Sequence, residues 1–540
     1  MAARVYSQRP SHRATWHRLI SVCGLTVLIV SLQPVTPASA ATLAVDRLDD
    51  AYTADDCLPL VANDCSLRGA ILAANLAPGV DTVVVPAGTY VLTPGDPSDP
   101  PDAKGDIPIK NPLTIEGAGP GQTIIDANGA ATLSGALKGD IIPGTVTIRN
   151  LTISGGGGAG GAIVSRSNLT LSNVVIHGNT STTHGGGINH AYGALSLAHT
   201  TISNNVSAAN GGGLFLLSGS LSVENSFIEG NQAGTSNFGG GISLSTQVTS
   251  FSISDTVIHE NTGGGGGGVT ISGGNGSLTR VEVTDNDASS TGGGGGMTVA
   301  GTPTVAISDS LFSGNTTAGS GGGAYIGDTA NVTIERCTLS GNVSNATVSP
   351  GGGGGIFFSN SSLTLTNSTV SGNSAKADGG GLFSYMPGSS AMLTAVTIAS
   401  NTPDSDGTGG GSGGGLYIYN GTVTLVGSIV ADNTGAECYR SAGSLVSSGY
   451  NLSSDASCEL DGPGDLPSTL AGLGPLADNG GPTQTHALLP GSQAIDASSI
   501  VICPTIDQRG FPRPVGAECD IGAYEAGWWV LLPVILRQYP

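Results

Sequence analysis

The sequence predicts an all-β chain folded as a right-handed parallel β-helix, a solenoid with three short strands in each coil. Three observations lead to this prediction: a repeat of about 28 residues, apolar residues two positions apart in each repeat, and glycine runs in most repeats. We expect a short N-terminal helical cap and a disulfide-bearing C-terminal cap, because an open solenoid end would expose unpaired strand edges.

The repeat is marked by an apolar residue followed three positions later by asparagine, a pattern that occurs ten times. Nine intervals separate residues 179 and 433, so the mean period is 254/9, or about 28 residues, as in solenoids. At equal positions of successive coils these amides would stack, bonding to one another or to turn backbone. The predicted structural ladder is Asn179, Asn205, Asn231, Asn261, Asn286, Asn315, Asn342, Asn373, Asn401 and Asn433.

Each repeat contains three short alternating stretches. The positions ten and eight before the ladder asparagine are apolar in almost every repeat, as in Leu195 and Leu197, which predicts a strand with one buried face. Positions five and three form a second pair after a phase slip that indicates a corner. A third strand follows the glycine run, as in Leu416 and Ile418. Coils stacked about 4.8 Å apart would build parallel sheets around one apolar core.

The first 40 residues have the pattern of an export signal. Arginines precede an apolar run from Leu19 to Leu32, and Ala38-Ser39-Ala40 supplies a small-residue cleavage site, so the mature chain would start at Ala41. The alternative, an uncleaved anchor, would need roughly 20 apolar residues. We therefore expect a protein that is secreted or held at the cell envelope, with no transmembrane helix in its mature part.

The chain divides into five predicted segments. These are the signal (1–40), an N-terminal cap with the first coils (41–110), the β-helix (111–436), a C-terminal cap (437–526) and a short apolar tail (527–540). Residues Trp528 to Arg537 of the tail are too few to cross a bilayer as a helix. The tail is either a sorting signal or a last strand docked on the cap.

The charge balance restricts the partners. The chain carries 18 basic and 39 acidic residues, a formal net charge of −21. Such a surface repels nucleic acid and anionic lipid, so we expect no nucleic-acid partner.

Seven cysteines follow the signal. Neighbouring pairs suggest three disulfide bonds: Cys57 with Cys65, Cys438 with Cys458, and Cys503 with Cys519, although spacing alone does not fix the connectivity. Cys337 occupies the small-residue column five positions before a ladder asparagine, so we expect a buried core thiol rather than a reactive one.

Loop length varies at one corner only. The interval from ladder asparagine to the last glycine of the next run is longest at Asn342 to Gly355 and Asn401 to Gly415. Variable loops would therefore share one edge of the solenoid, where repeat proteins often bind ligands. The equal alternative is that exposed corners merely tolerate insertion.

One column carries alternating charges: Asp255, Arg280, Asp309 and Arg336 stand six positions before successive ladder asparagines. Basic residues beside carboxylates would suit a lyase acting on acidic sugars, which makes this the best enzymatic candidate. We favour the alternative of an exposed salt-bridge ladder.

We predict no metal site and no catalytic residue. His177, His184, His190 and His199 belong to different columns, which argues against a shared metal ion. Calcium is the only cofactor suggested, by two acidic loops that lack EF-hand spacing. Their residues are Asp96, Asp99, Asp102 and Asp106 in a proline-rich loop, and Asp404 with Asp406 in the longest corner.

Both ends resemble known families. Cys65-Ser66-Leu67-Arg68-Gly69-Ala70-Ile71 is similar to the start of CSLREA domains, with Gly69 in place of the family's glutamate. Asn479-Gly480-Gly481-Pro482-Thr483, Asp507-Gln508-Arg509-Gly510 and Cys519-Asp520-Ile521-Gly522 resemble the choice-of-anchor Q domain, and the repeats are similar to those of polymorphic outer membrane proteins. These resemblances imply surface display and adhesion, with Asp507, Arg509 and Asp520 as structural residues of the cap.

The sequence thus favours a secreted or cell-surface protein, adhesin-like or in contact with polysaccharide, without catalysis. The first alternative is a polysaccharide lyase or glycoside hydrolase that acts on a polymeric sugar. The second is a structural spacer in the envelope.

Overall fold

The structure of the chain is a computed structural model that describes residues 40–51, 57, 63–77, 79–93, 105–129, 133–135, 144–347 and 351–527. The predicted signal before residue 40 and the tail after residue 527 lie outside the described residues, as do Asp96, Asp99 and Asp102. In the part of the chain that is described, no helix is both long and apolar enough to cross a membrane.

The described chain winds into a parallel β-helix, and this confirms the predicted fold class. Three faces, called here the first, second and third sheets, follow one another in each coil, and every strand pairs in parallel with its equivalent in the next coil. Some long strands turn a corner and serve more than one sheet; the turn is made by a single residue with a left-handed backbone, such as Asn173 with a φ of 53°.

The first sheet follows the glycine runs. Its strands are Ile107–Ile109, Leu133–Gly135, Ile163–Ser165, Ile188–His190, Leu214–Glu224, Ile242–His259, Val269–Ile271, Met297–Val299, Ala324–Ile326, Ile356–Phe358, Leu382–Ser384, Leu416–Ile418 and Cys438–Arg440.

The second sheet comes next along each coil. Its strands are Thr42–Ala44, Asp81–Val85, Leu113–Gly117, Thr145–Ser154, Asn168–His177, Ala194–Ala198, Asn275–Thr284, Thr304–Ser308, Asn331–Glu335, Ser362–Thr366, Ser390–Thr394, Thr422–Val426 and Ser444–Ser447, joined by parts of Leu214–Glu224 and Ile242–His259.

The third sheet leads into the ladder asparagine. Its own strands are Gly88–Val91, Thr123–Asp126, Thr201–Ser203, Phe227–Glu229, Leu311–Ser313, Thr338–Ser340, Thr369–Ser371, Thr397–Ala399, Ile429–Ala431 and Leu452–Ser453, joined by the ends of longer strands. Sequence reasoning missed a fourth set of two-residue strands just after the asparagine, namely Thr180–Ser181, Val206–Ser207, Thr262–Gly263, Asp287–Ala288, Thr316–Thr317, Val343–Ser344 and Ser374–Ala375.

The core is one column of apolar side chains. The alternating positions of the second sheet are buried, as Leu195 and Leu197 at 1% exposure show. The small-residue column is buried as well, and its hydroxyls bond from coil to coil: the Ser226 Oγ accepts the Thr200 N–H at 3.1 Å and donates to the Glu224 carbonyl at 2.8 Å. Small polar side chains therefore provide hydrogen-bond partners for buried backbone groups at this corner, which an apolar residue would leave unpaired.

The ten ladder asparagines form a continuous buried row. The side-chain amide of each of the first nine donates to the Oδ1 of the next asparagine at 2.8 to 3.0 Å. The same Oδ1 accepts the backbone N–H of the preceding asparagine, as Asn286 does from Asn261 at 3.0 Å. The row thereby satisfies the backbone of a corner that has no strand partner.

A helix covers the N-terminal end. It spans Leu67–Leu76, and Ser66 is its N-cap, with an Oγ that accepts the Gly69 N–H at 3.0 Å. Arg68 is fully buried and makes a two-point ion pair with Asp50, with N–O distances of 2.7 and 2.9 Å. The predicted helical cap is therefore present, held by a disulfide bond between Cys57 and Cys65.

The C-terminal region does more than close the solenoid end. Cys438 and Cys458 are joined by a disulfide bond and pack on the core with Leu460. Residues 471–526, called here the fold-back segment, then return along the outside of the third sheet. This segment contains the hairpin of Leu473–Ala477 with Thr485–Leu488, and a disulfide bond joins its Cys503 and Cys519.

Gln508 fixes the fold-back segment on the solenoid. Its Nε2 donates to the Thr338 Oγ1 at 2.9 Å, and its Oε1 accepts the Thr369 hydroxyl at 2.6 Å. One coil further on, the Ala523 N–H donates to the Thr397 Oγ1 at 3.0 Å. The sequence predicted a cap but gave no indication that it would lie along the side.

Candidate functional site

The charge column forms ion pairs on the outside of a corner. The Arg280 guanidinium bonds both carboxylate oxygens of Asp255 at 2.6 and 2.7 Å, and Arg336 bonds those of Asp309 at 2.7 and 2.8 Å. The hydrogen bond from Arg280 lowers the pKa of Asp255. Each arginine is thus engaged by a carboxylate of the preceding coil, which is the salt-bridge ladder that we favoured.

The histidines are not brought together. His190 is fully buried in the core, and burial lowers its pKa to about 4. His184 stacks on Phe215 with ring centroids 4.3 Å apart, while His177 and His199 are exposed. Among the described residues, no group of three or more histidine, cysteine or acidic side chains is arranged to hold a metal ion.

In the acidic loop that the structure describes, the carboxylates accept hydrogen bonds from neighbouring residues of the same loop. Asp404 accepts the Gly409 N–H at 3.0 Å, and Asp406 accepts the Thr408 hydroxyl at 2.9 Å, so both carboxylates bond within their own loop. Asp106 is separate from them, and burial raises its pKa to about 6. Cys337 is a buried free thiol whose pKa is raised to about 12 by burial.

The largest aromatic cluster lies on the outside of the first sheet. The central residues of five successive strands stack in a row with ring centroids 4.8 to 5.3 Å apart. Tyr385 and Tyr419, which follow two of these strands, stack on each other at 5.7 Å, and Tyr385 also contacts Phe357. The aromatic face, as we call it, is Tyr325, Phe357, Phe383, Tyr417, Tyr439, Tyr385 and Tyr419.

The aromatic face has a buried floor and an accessible rim. Phe357 and Phe383 are 5% and 0% exposed, whereas Tyr439 is 43% exposed. Tyr325, Tyr385 and Tyr419 are half-buried. A rigid apolar floor with tyrosines around it offers ring surface together with hydroxyl groups, which is the composition of many binding surfaces.

The two longest corner loops border this face. Asn342 to Gly355 leads into the strand of Phe357, and Asn401 to Gly415 leads into the strand of Tyr417. Asp378 connects them, because its carbonyl accepts the Gly353 N–H and its carboxylate accepts the Ser412 N–H, both at 3.1 Å. The predicted edge of variable loops therefore adjoins the aromatic face.

Burial raises the pKa of two tyrosines of the aromatic face, Tyr325 at the rim and the buried Tyr417. Burial raises the pKa of Tyr325, and burial together with Asp378 raises the pKa of Tyr417 to about 12. A tyrosine hydroxyl has an ordinary pKa of about 10 and is a hydrogen-bond donor at neutral pH with or without such a shift. The nearby charges that act on Tyr325 and Tyr417 belong to Asp328 and Asp378, both acidic.

Sequence reasoning missed the aromatic face, although a signal was present. The first sheet was recognised from its two inward positions, such as Leu416 and Ile418, and the outward residue between them was passed over. In four successive repeats that residue is Tyr325, Phe357, Phe383 or Tyr417. Aromatic residues in a single outward column would have predicted the stack.

A family model described as the right-handed β-helix region matches residues 140–312 and 304–455. A comparison with curated proteins found no match. The matched residues lie between the two ends, so the resemblance of the ends to CSLREA and choice-of-anchor Q domains stays a prediction.

Several solved structures are similar to the chain at low identity. The A-module of the Azotobacter vinelandii mannuronan C-5 epimerase AlgE6 is 15% identical, with 72% of this chain and 94% of that chain covered and a TM-score of 0.32. Pectate lyase Pel9A is 12% identical, with 91% and 98% covered and a TM-score of 0.32. The catalytic domain of a GH87 α-1,3-glucanase is 13% identical, with 71% and 65% covered and a TM-score of 0.34.

Proposed function

We propose that this chain, which belongs to the family of right-handed β-helix proteins, is a secreted or cell-surface protein that binds a polysaccharide along its aromatic face without catalysis. The observation that carries the proposal is the row of stacked rings, repeated once per coil, with Tyr325, Tyr385, Tyr419 and Tyr439 accessible at its rim. A polymer that runs across successive coils could meet these four accessible rings in turn.

The chemistry of the rim suits sugars. Sugar rings carry apolar C–H groups that pack on aromatic surface and hydroxyl groups that bond to phenol oxygens. The floor of Phe357 and Phe383 holds the rim in place, so little side-chain entropy would be lost on binding. A flexible loop would not offer the same pre-organised surface.

The charges favour a neutral polymer. Asp328 and Asp378 are the charged groups that act on the ring hydroxyls, and the whole chain carries a net charge of −21. An acidic polysaccharide would be repelled by such a surface. We therefore infer that a neutral glycan is the ligand class.

The test is retention on polysaccharides. We would measure binding of the full protein to neutral glucans, xylan and chitin, and to pectate and alginate with and without calcium. The double variant Tyr385→Ala/Tyr419→Ala should weaken binding to the retained neutral polymer by about 5-fold to 150-fold, because each aromatic contact contributes about 0.5–1.5 kcal/mol. Loss of retention without loss of the folded state would support the proposal.

Tyr192→Ala is the control, because Tyr192 is an exposed tyrosine that follows a first-sheet strand, Ile188–His190, away from the aromatic face. This variant should bind as the unaltered protein does. Equal binding by all three proteins, or retention by none of the neutral polymers, would contradict the proposal. Retention by neither class of polymer would favour the spacer alternative.

The enzymatic alternative has its own readout. A groove of about 500 Å³ lies between the charge column and the fold-back segment, lined by Arg280, Asp309, Asp478 and Gln484 among others. Because both arginines of the column are held in ion pairs, we expect no chain cleavage in the same incubations. Cleavage that is lost in Arg280→Ala/Arg336→Ala would establish the enzyme instead.

A further inference from the structure

The second strand of the solenoid contains an incompletely paired buried acid. Asp81 begins the strand Asp81–Val85 and is 0% exposed. One of its carboxylate oxygens accepts the backbone N–H of Ala41 at 2.7 Å. The other oxygen, Oδ2, is buried and has no hydrogen-bond partner among the described residues. A buried carboxylate without a cation is costly, so this arrangement calls for a further donor.

Two other acids near the chain ends have a cation as partner, and a third, Asp520, has both carboxylate oxygens satisfied by the backbone N–H groups of Asp496 and Ala526. Asp50 pairs with Arg68, and Asp507 pairs with Arg509 at 2.7 Å. Among the described residues, the Asp81 carboxylate accepts a hydrogen bond only from the backbone nitrogen of Ala41. The contrast indicates that Asp81 is built for a cation that an internal peptide bond does not provide.

The position of Ala41 is fixed by strand register. Thr42–Ala44 pairs in parallel with Asp81–Val85, with Thr42 opposite Thr82, and the Thr82 N–H donates to the Ala41 carbonyl at 2.9 Å. The backbone pairing of these two strands therefore fixes the nitrogen of Ala41 next to the Asp81 carboxylate. This is the residue that the predicted cleavage after Ala38-Ser39-Ala40 would make the first of the mature chain.

We propose that cleavage between Ala40 and Ala41 creates an α-ammonium group that pairs with the buried carboxylate of Asp81, so that the processed N-terminus becomes part of the fold. A peptidase that cuts after small residues would hydrolyse the amide bond. Water supplies the hydroxyl to the Ala40 carbonyl carbon and a proton to the Ala41 nitrogen, and proton exchange leaves a carboxylate and an ammonium group.

The chemical gain lies at the nitrogen. As part of a peptide bond, Ala41 offers one N–H and no charge, whereas an α-ammonium offers three N–H groups and a positive charge. An α-amino group is protonated at neutral pH because its ordinary pKa is about 8. It can therefore reach both oxygens of Asp81 and compensate for their burial. The end coil would be fully stabilised only after removal of the leader.

The experiment compares processed and unprocessed protein. The full chain of 540 residues would be produced in a bacterium that exports it, and the mass of the exported form should place its N-terminus at Ala41. The variant Ala40→Leu should block cleavage and keep the amide. Amide hydrogen exchange in Thr42–Ala44 and Asp81–Val85 should be about tenfold or more slower in the processed form, as expected of a buried ion pair.

Asp81→Asn distinguishes the ion pair from an effect of the leader itself. In the processed form it should remove the added protection, while in the uncleaved form it should leave exchange unchanged or slower, because no cation is lost. A different N-terminus, equal exchange in the two forms, or an equal loss of protection by Asp81→Asn in both would overturn the proposal. The comparison without Asp81→Asn stands even if that variant fails to fold.

Discussion

The carboxylate of Glu437 accepts a hydrogen bond from the Asn433 side-chain amide at 2.6 Å and thereby ends the asparagine ladder. Its other oxygen accepts the Asn433 backbone N–H at 3.3 Å and the Ser454 hydroxyl. Glu437 is 2% exposed. At the opposite end, the Asn179 Oδ1 accepts the Gly156 N–H at 2.8 Å. At each end of the ladder, the terminal asparagine therefore has a hydrogen-bond partner in place of a further asparagine: Glu437 for the Asn433 amide and the Gly156 N–H for the Asn179 Oδ1.

Glu437→Ala should destabilise the last coils. The change leaves donors of Asn433 without their acceptor in a buried site, so we expect the free energy of unfolding to fall by about 1–3 kcal/mol. Urea unfolding followed by circular dichroism measures this loss. Glu229→Ala, at an exposed position of the third sheet, is the control and should change stability by less than about 0.5 kcal/mol. A similar loss in both variants would argue against the terminating role.

Asn286→Asp should be far more damaging than its isosteric nature suggests. The Asn286 Nδ2 donates to the Ile258 carbonyl and to the Asn315 Oδ1, both at 2.9 Å, and aspartate has no donor for either acceptor. It would also place a charge among buried acceptors, at a cost on the order of 3–5 kcal/mol. Hydrogen exchange should report local opening of the neighbouring coils.

The control for that variant is Asn173→Asp. Asn173 is exposed, has a φ of 53° and donates to the Asn150 Oδ1 at 2.9 Å, so it shares the chemistry without the burial. Aspartate tolerates this backbone conformation. We expect little change there, and equal losses at the two positions would contradict the argument from burial.

His190→Leu should stabilise the protein. His190 faces the core between Ser165 and Leu216, and neither ring nitrogen has a partner among the described residues. Burial lowers its pKa from 6.5 to about 4, so the unfolded state takes up the proton more readily. Stability contributed by the neutral ring is therefore present above pH 6.5 and is lost as the pH falls toward 4.

That loss is at most on the order of 3 kcal/mol, and it should be absent in His190→Leu. Melting temperatures between pH 7 and pH 4 test this expectation. The control is His199→Asn, at an exposed corner where φ is 50°. If His199→Asn removed as much of the acid sensitivity as His190→Leu, the assignment to the buried ring would be wrong.

Gln508→Ala should loosen the fold-back segment while leaving the solenoid wound. Gln508 is fully buried, and the change removes the acceptor of the Thr369 hydroxyl, at about 1–3 kcal/mol for the unsatisfied group. The Thr338 hydroxyl loses a donor but still donates to the Gln484 carbonyl. Limited proteolysis should cut residues 471–526 faster, with first-sheet amides still protected. The control variant Gln493→Ala, at an exposed position, should be cut by the protease at the same rate as the unaltered protein. Loss of protection throughout the coils would show that Gln508 supports the whole fold.

The solenoid could be predicted because every coil must satisfy the same corner. Asparagine at the ladder and a small residue such as Ser226 or Cys337 in the buried column recur because each coil has the same two corners to fill. Ten repetitions make the pattern detectable in the sequence. The fold-back segment has no such repetition. Gln508 contacts Thr338, 170 residues earlier in the chain, through a single set of hydrogen bonds, and no repeated spacing in the sequence predicts this contact.

The aromatic face lies between these cases. Its column is periodic, yet strand prediction depends on buried alternation, and outward residues such as Tyr417 do not contribute to that signal. The Ala41 contact of Asp81 is of a different kind, since both the register of the first strand and the burial of the acid had to be known. A lone aspartate at the start of a strand has no distinctive sequence signature.

The fold-back segment divides the solenoid into a part of fixed length and a part that is free to change. Gln508 bonds to two adjacent coils through Thr338 and Thr369, and Ala523 reaches Thr397 in the next one. A coil inserted or deleted among these would put the segment out of step with its anchors. Among the described residues, the coils before Asp255 make no hydrogen bond to this segment and do not line the groove beside it, so whole repeats could be gained or lost there during evolution while the aromatic face kept its dimensions.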